Sequence, residues 1–312
     1  MKKSKKIFIL IAIILMLVGC TKTVKEYKKA DVYEETGQTL TANILCQPEN
    51  EDLYAKYEEY NESLTVKLED LPTCRKFTPK KLKYVSLWET IFIKPLAWLI
   101  LKLGYAVKNM GVSVMIIGLL IRLIMMPVQI KTMKQSEAMK KMQPEIQRIE
   151  KKYRNRTDNE SLMAKSQETM LLYKKYKINP SSGCLMAFVQ LPIFFAFLES
   201  INRVPAIFEG KFLTMNLGMT PMTGIAHHNY IYVLLVILII ASTYFSFKNT
   251  MGGQSQTPEM QQQMKFMFTF MIVMISVASL SLPTAIALYW IVTNGFAVIQ
   301  NIIIKKLLEK SE

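Results

Sequence analysis

Within the run Gly111 to Lys131, GVSVMIIGLLIRLIMMPVQIK, one arginine, Arg122, stands among aliphatic and methionine side chains. A guanidinium is permanently charged and carries five N–H donors and no acceptor, so its chemistry is recognition of anions, not proton transfer. On a helix rising about 1.5 Å per residue, the next polar anchor, Lys131, lies roughly 13 Å away, too far for snorkelling alone. Such an arginine costs roughly 2.5–3.5 kcal/mol at mid-span and by default faces a bundle interior or a water-filled cavity. Its other use is to tie helices together through backbone carbonyls. On an unbroken helix Met115, Gly118, Met126 and Gln129 share its face, at offsets of −7, −4, +4 and +7.

A second polar set lies near the end of the chain. Trp290, Thr293, Asn294, Ala297 and Asn301 fall at offsets of 0, 3, 4, 7 and 11 in an apolar run. The stripe can neighbour Arg122, or it can serve hydrogen bonding between helices. Cys46 and Cys74 are candidates for a disulfide, and no second His or Cys pair accompanies them as metal ligands. His227 and His228 are adjacent and point in different directions without a third ligand, which argues against a metal site. The sequence holds no P-loop, GxGxxG, HExxH or nucleophile elbow, so neither an enzyme nor a cofactor is expected.

The elements that must position these residues follow from composition. The 312 residues are 51% hydrophobic yet carry a net charge of +15. That is too apolar for a typical soluble domain and too charged to lie wholly in lipid, so the two characters must be segregated. Apolar residues collect in windows of about 17–22, the length that spans hydrocarbon, and Lys and Arg collect between them. The fold expected is an all-α polytopic membrane protein. Its charge sets topology and meets anionic lipid or a ribosomal surface. No basic patch is interleaved with aromatics in a nucleic-acid-binding motif.

Lys2, Lys3, Lys5 and Lys6 followed by the apolar Ile7 to Val18 read as a signal peptide over 1–19. Leu17-Val18-Gly19-Cys20 resembles a bacterial lipobox, which makes Cys20 a lipidated first residue outside the cytoplasm; the alternative is an uncleaved anchor. Residues 20–86 form an extracytoplasmic segment in which Leu53, Tyr57, Tyr60 and Leu64 have helical spacing. A Cys46–Cys74 bridge there would stabilise by roughly 3 kcal/mol in the chain-entropy model.

Residues 87–108 are apolar but broken by Lys94, Pro95 and Lys102. If they crossed, the Lys/Arg-rich stretch after the next span would be delivered outside, against the positive-inside rule. They are therefore expected to form an amphipathic helix along the outer interface, anchored by Trp88, Trp98 and Tyr105. The spans expected are 111–130, 184–201, 230–247, 265–281 and 284–304. Between them lie a cytoplasmic helical hairpin at 131–180, an external loop at 202–229 and a cytoplasmic loop at 248–264, with a tail at 305–312. In the hairpin, Met139, Met142, Ile146, Ile149 and Tyr153 form a coiled-coil-like seam that Pro144 kinks or interrupts. Thr157 to Glu160 fits a capping box, and Met163, Met170, Tyr173 and Tyr176 are available to pack back.

The runs GLLIRLIMMPVQIKTMKQSEAMKKMQPEIQRIEKKY, YKKYKINPSSGCLMAFVQLPIFFAF and SLPTAIALYWIVTNGFAVIQNII, in this order over roughly residues 85–305, resemble the YidC/Oxa/Alb family of bacterial membrane protein insertases, in its Gram-positive lipoprotein form. The resemblance implies five transmembrane helices around a hydrophilic groove open to the cytoplasm and to lipid but closed outside. By position it puts the groove arginine at Arg122, a glutamine at Gln190 and a tryptophan at Trp290; Thr293 and Asn294 join them from the stripe. The third span departs from the pattern, with Ser246 and Lys248 where glutamines are common, and the tail KKLLEKSE lacks a long basic extension. The clients implied are nascent membrane proteins, with the Sec translocon, the ribosome and the signal recognition particle pathway as partners in a bacterial plasma membrane. Two rival classes are a secondary transporter or channel, for which neither repeats nor mid-span acids are present, and a scaffold for membrane assembly.

Overall fold

The computed structural model describes residues 21–310, apart from 27–28, 81, 83, 180–181 and 252–257. The expected signal peptide, its lipidation site Cys20, part of the 248–264 loop and the end of the tail lie outside the described residues. The chain divides into two units: Met1–Gly118 with Leu191–Leu238 and Ala278–Trp290, and Leu119–Gln190 with Ile239–Val277 and Ile291–Glu312.

In the first unit, two short hairpins precede a helix. Strands β1 (Lys25–Glu26) and β2 (Lys29–Ala30) pair antiparallel, as do β3 (Val32–Tyr33) and β4 (Gln38–Thr39). Helix α1 (Glu51–Glu59) starts at Asn50, whose side chain accepts from the Leu53 N–H at 2.9 Å, with Glu51 and Asp52 placed favourably in its first turn. Leu53 and Tyr57 are buried, whereas Tyr60 caps the helix and Leu64 packs from the loop beyond it. Val24, Leu40, Ala42, Ile44, Leu68 and Leu71 complete a core. The strands correct the all-α expectation, and the core shows that this segment is a folded module. Apart from Leu53 and Tyr57, whose helical spacing is visible in the sequence, its apolar residues arrive singly from many short pieces without periodicity.

Cys46 and Cys74 are joined in a disulfide, their Cα atoms 4.8 Å apart, and both are buried in the module. Replacing both by serine is expected to destabilise the module by about 3 kcal/mol in the chain-entropy model. Hydrogen exchange should then accelerate across residues 40–77 while the helices at 126–153 and 159–175 keep their protection.

Residues Glu89–Ile93 form a π-helical turn that runs into α2 (Lys94–Val107). Pro95 follows directly on the π-helical turn, whose wider ladder accommodates a residue without an N–H. The helix expected over 87–108 runs through Lys94 and Pro95, and Lys94 is buried. Ala97, Ile100, Leu101 and Gly104 form the buried face of α2. A Cβ at Gly104 would come within 2.2 Å of the Met110 sulfur, so glycine permits the close approach of α3 (Met110–Ile124). Trp88 is also buried, which removes it from the expected ring of interfacial anchors.

The chain of the first unit resumes at the end of α6 (Ser182–Asn202) and continues through α7 (Pro205–Phe208), the hairpin β5–β6 (Lys211–Phe212, Met215–Asn216) and α8 (Pro221–Ala226). It includes the start of α9 (Ile231–Met251) and the junction of α10 (Pro258–Ser281) with α11 (Thr284–Lys310). Thr284 ties that junction to the loop by donating its N–H and hydroxyl to the Met219 carbonyl at 3.0 and 2.7 Å.

In the second unit, α4 (Met126–Tyr153) and α5 (Asn159–Lys175) form an antiparallel hairpin. Met139, Met142, Ile146, Leu172 and Ile178 make its core, and Ile149, Tyr173 and Tyr176 pack against it. Helix α4 passes through Pro144 without restarting. Met163 and Met170, expected to pack inward, are exposed at 65% and 59%; Leu172 fills the seam instead. The cap of α5 is Asp158, not Thr157, accepting from the Ser161 N–H at 2.8 Å.

That bond holds the Asp158 carboxyl below its ordinary range; Lys175 and Tyr176 do the same for Glu145, and Lys152 and Tyr153 for Glu168. Groups with depressed folded-state values contribute stability above their unfolded values of about 4, and that stability is lost as pH falls through the folded values. Hydrogen exchange across residues 145–176 should therefore speed up below about pH 4, and Asp158→Ala should remove part of that dependence and loosen the start of α5 at neutral pH.

Among the described residues, Glu89–Val107, Ile231–Lys248 and Thr284–Leu308 are long and apolar enough to cross a membrane; the bent pair Met110–Ile124 and Met126–Tyr153 would make four, and Lys265–Ser281 is a shorter apolar helix.

Candidate functional site

Arg122 does not sit in the middle of a continuous span. Helix α3 ends at Ile124 and α4 starts at Met126, with a 56° bend between them. Pro127 supplies the reason: it lacks an N–H, its ring collides with the carbonyl four residues back, and it disfavours helical backbone in the residue before it. Arg122 therefore occupies the last turn of α3, where the negative end of the helix dipole and free carbonyls favour a cation. Its side chain is partly buried, with the Nε atom enclosed. Met115 and Gly118 share its helix, but Met126 and Gln129 lie beyond the bend, so the straight-helix argument fails for those two.

Gln129 has a different partner. It is buried and donates from Nε2 to Oδ1 of buried Asn301 on α11 at 3.0 Å. Higher on α11, Asn294 donates from Nδ2 to the Thr243 hydroxyl of α9 at 3.1 Å, and Thr293 is buried at 3% exposure. The polar stripe thus serves helix-to-helix bonding at Asn294 and Asn301. Gln300, beside it, is buried, and neither polar atom of its side chain has a hydrogen-bond partner among the described residues. The sequence reading missed Thr243 and Gln300; a hydroxyl in Ile239-Ile240-Ala241-Ser242-Thr243 and an amide in Ile299-Gln300-Asn301 were the available signals.

Arg122, Gln190, Thr293 and Asn294 all belong to the second unit, and Gln190 is partly buried. Trp290 belongs to the first, where its ring stacks on Phe194 with centroids 5.4 Å apart. Ser246 is buried on α9, and the Lys248 ammonium lies 5.8 Å from the Tyr244 ring centre. Among the described residues no group of three or more His, Cys, Asp or Glu side chains could hold a metal, and His227 and His228 are exposed.

A buried ionic cluster in the first unit was not foreseen. The Glu89 carboxylate is shared between Lys94, at 3.0 Å, and the Arg203 guanidinium. The π-helical turn brings Glu89 and Lys94 together by closing a bond from the Lys94 N–H to the Glu89 carbonyl. Exposures of 4%, 1% and 3% for Glu89, Lys94 and Arg203 leave the three almost without solvent. Beside them the Trp88 indole donates to Glu199 at 3.2 Å, and the other Glu199 oxygen is buried without a hydrogen bond among the described residues. The sequence showed only scattered charges near apolar runs, with nothing to bring residues 89, 94 and 203 together.

Comparison with known proteins assigns the chain. Residues 102–311 match the family model described as 60Kd inner membrane protein. A curated relative, the membrane protein insertase YidC of Oceanobacillus iheyensis, is 36% identical over 222 residues, covering 71% of this chain and 84% of its own. The chain belongs to the YidC-type membrane protein insertase family. A further relative in this YidC family is the membrane protein insertase MisCA of Bacillus subtilis, 34% identical over 222 residues, covering 70% of this chain and 79% of that one. A solved structure described as an active YidC insertase with its first transmembrane domain resolved is similar at 27% identity and a TM-score of 0.49, covering 70% of this chain. The chain spans 46% of that structure's length. The family match starts after the disulfide-bonded module, which the YidC family model does not cover.

Proposed function

We propose that this chain inserts membrane proteins: it accepts polypeptides from the cytoplasm into a hydrated, positively charged groove and releases their apolar segments sideways into the bilayer, alone or beside the Sec translocon. The observation that carries the reading is Arg122, a fixed cation in the last turn of an otherwise aliphatic helix, in a chain of the insertase family. A groove reaching partway through the bilayer shortens the dry path that a polar client segment must cross. Two unit charges 4 Å apart attract by about 4 kcal/mol at an effective dielectric near 20, enough for a brief contact with an acidic client segment and too little to trap it. Gln190, Thr293 and Asn294 keep the groove polar, and methionines adapt to varied apolar helices. No covalent step is required, so the activity is that of a chaperone.

In this reading there are five spans near the bounds expected from the sequence, except that the first bends after Ile124, α2 lies along the outer interface, and the α4–α5 hairpin receives clients in the cytoplasm. Exposed Met163 and Met170 on α5 offer it an adaptable apolar face. The basic charge holds the hairpin inside and meets anionic lipid, with the ribosome and the signal recognition particle pathway delivering clients. Lipidation at Cys20 would anchor the outer module. A photo-crosslinker at position 122 should capture stalled nascent chains exposing an acidic segment ahead of an apolar one. Capture no better than from an exposed position on α10 such as Val277 would defeat the groove reading.

A further inference from the structure

Helix α2 has two unlike sides. Ala97, Ile100, Leu101 and Gly104 face the protein, whereas Leu99, Lys102 and Ala106, spaced three and four residues apart, turn outward and are exposed. The run leading into the helix adds exposed Leu87, Ile91 and Phe92. An apolar surface open along one side of a helix is what acyl chains cover at the face of a bilayer.

Along one edge of that surface Trp98, Lys102 and Tyr105 stand at offsets of 0, 4 and 7. The Lys102 ammonium lies 4.8 Å from the centre of the Trp98 ring, and the Arg75 guanidinium lies 4.7 Å from the centre of the Tyr105 ring. Arg75 belongs to the module of residues 21–79, on the short turn Cys74–Lys76 that packs against α2 and that the disulfide from Cys74 to Cys46 tethers. Lys76 follows it, and Arg75, Lys76 and Lys102 are all exposed. Two acids approach this edge, and both are engaged. The Tyr105 hydroxyl donates to Glu49 at 2.5 Å, and Glu209 accepts from the N–H groups of Glu49 and Asn50. The three cations outnumber them.

A cation stacked on an aromatic face keeps N–H groups pointing away from the ring, where they can donate to a phosphate. One amphiphile satisfies the whole arrangement: its phosphate meets the cations, and its acyl chains cover Leu99 and the apolar residues beside it. Free phosphate would use the cations alone and leave that apolar surface wet.

We infer that the turn carrying Arg75 and Lys76, together with the Trp98, Lys102 and Tyr105 edge of α2, binds the headgroup of an anionic phospholipid in the outer leaflet. This rests on the proposed function, which puts α2 along the outer interface. It also gives the module a task. Residues 21–79 precede the family match, and they bring two cations to an edge on which α2 supplies one.

The test reconstitutes the full chain in phosphatidylcholine vesicles with a trace of phosphatidylglycerol carrying a photoactivatable acyl chain; in a parallel sample phosphatidylcholine carries the label. Crosslinks mapped to residues 84–108 should be at least about fivefold more frequent with the anionic lipid, a factor that one basic side chain near an anionic surface already supplies. The triple variant Arg75→Gln, Lys76→Gln, Lys102→Gln should lose that preference. Its crosslinks to phosphatidylcholine over the same residues should stay unchanged, because the helix keeps its place at the bilayer surface. Lys67→Gln, on the module but paired with Glu62, should leave the preference intact. Equal labelling by the two lipids in the unchanged chain would overturn the site, and so would a preference that survives the triple variant. Inorganic phosphate added on both sides of the vesicles should not displace the lipid; loss of the preference there would reveal a free-phosphate site and overturn the lipid assignment. Separately, an impermeant thiol reagent should label Lys108→Cys from the outer side of intact cells. Failure of that labelling would count against the outer position of α2, whereas labelling without lipid preference would count against the lipid site alone.

Discussion

Replacing Arg122 by alanine is expected to cut insertion of a single-span client with an acidic external tail by at least about tenfold, the loss of some 1.4 kcal/mol of favourable contact. The available Coulomb energy is about 4 kcal/mol at 4 Å with a dielectric near 20, and a wet site realises only part of it. Arg122→Lys should keep much of the activity, because a brief encounter with a carboxylate needs the charge more than the planar fork. Clients whose external segment is neutral should be affected least. The measurement is rescue of a strain depleted of its own insertase, with insertion scored by protease protection of the client tail. Undiminished insertion by Arg122→Ala would show that the charge does not touch clients, and tolerance of Arg122→Leu would favour a scaffold. The position of Arg122 makes the alanine variant informative: in the last turn of α3 the negative end of the helix dipole favours a cation, so the variant tests the charge at a helix end.

What the sequence revealed divides along a physical line. Long periodic segments were legible: the seam Met139, Met142, Ile146 and Tyr153 is buried in the hairpin, and the helices around 231–251 and 284–310 follow their apolar runs. The bend at Met125 was in principle legible too, since Pro127 stands in the sequence, but the apolar run masked it as one span. The module at 21–79 was not legible because its core collects single residues such as Val24, Leu40 and Leu71 from strands two residues long and from loops. Pairings between distant residues were the least visible. Gln129 with Asn301, Asn294 with Thr243 and Glu89 with Arg203 are set by packing, and a polar residue in an apolar run reads the same whether it lines a groove or bonds a neighbour.

The buried cluster gives the largest effect expected on stability. Glu89→Leu should destabilise the first unit by about 3–5 kcal/mol, the range for removing one partner of a buried ion pair. Glu89 is the shared anion, so its loss strands two cations, Lys94 and Arg203, in a site where they are 1% and 3% exposed. Lys94→Met should cost less, because Glu89 keeps Arg203 and the methionine occupies much the same volume. The double variant Glu89→Leu with Lys94→Met should recover part of the loss of Glu89→Leu alone, since it removes one of the stranded cations. Thermal unfolding in detergent, read by protease sensitivity of the loop at 203–229, orders the three variants. An equal loss from Glu89→Leu and Lys94→Met would mean that the site is wet enough to screen its charges, and the dry cluster beneath the module would have to be abandoned.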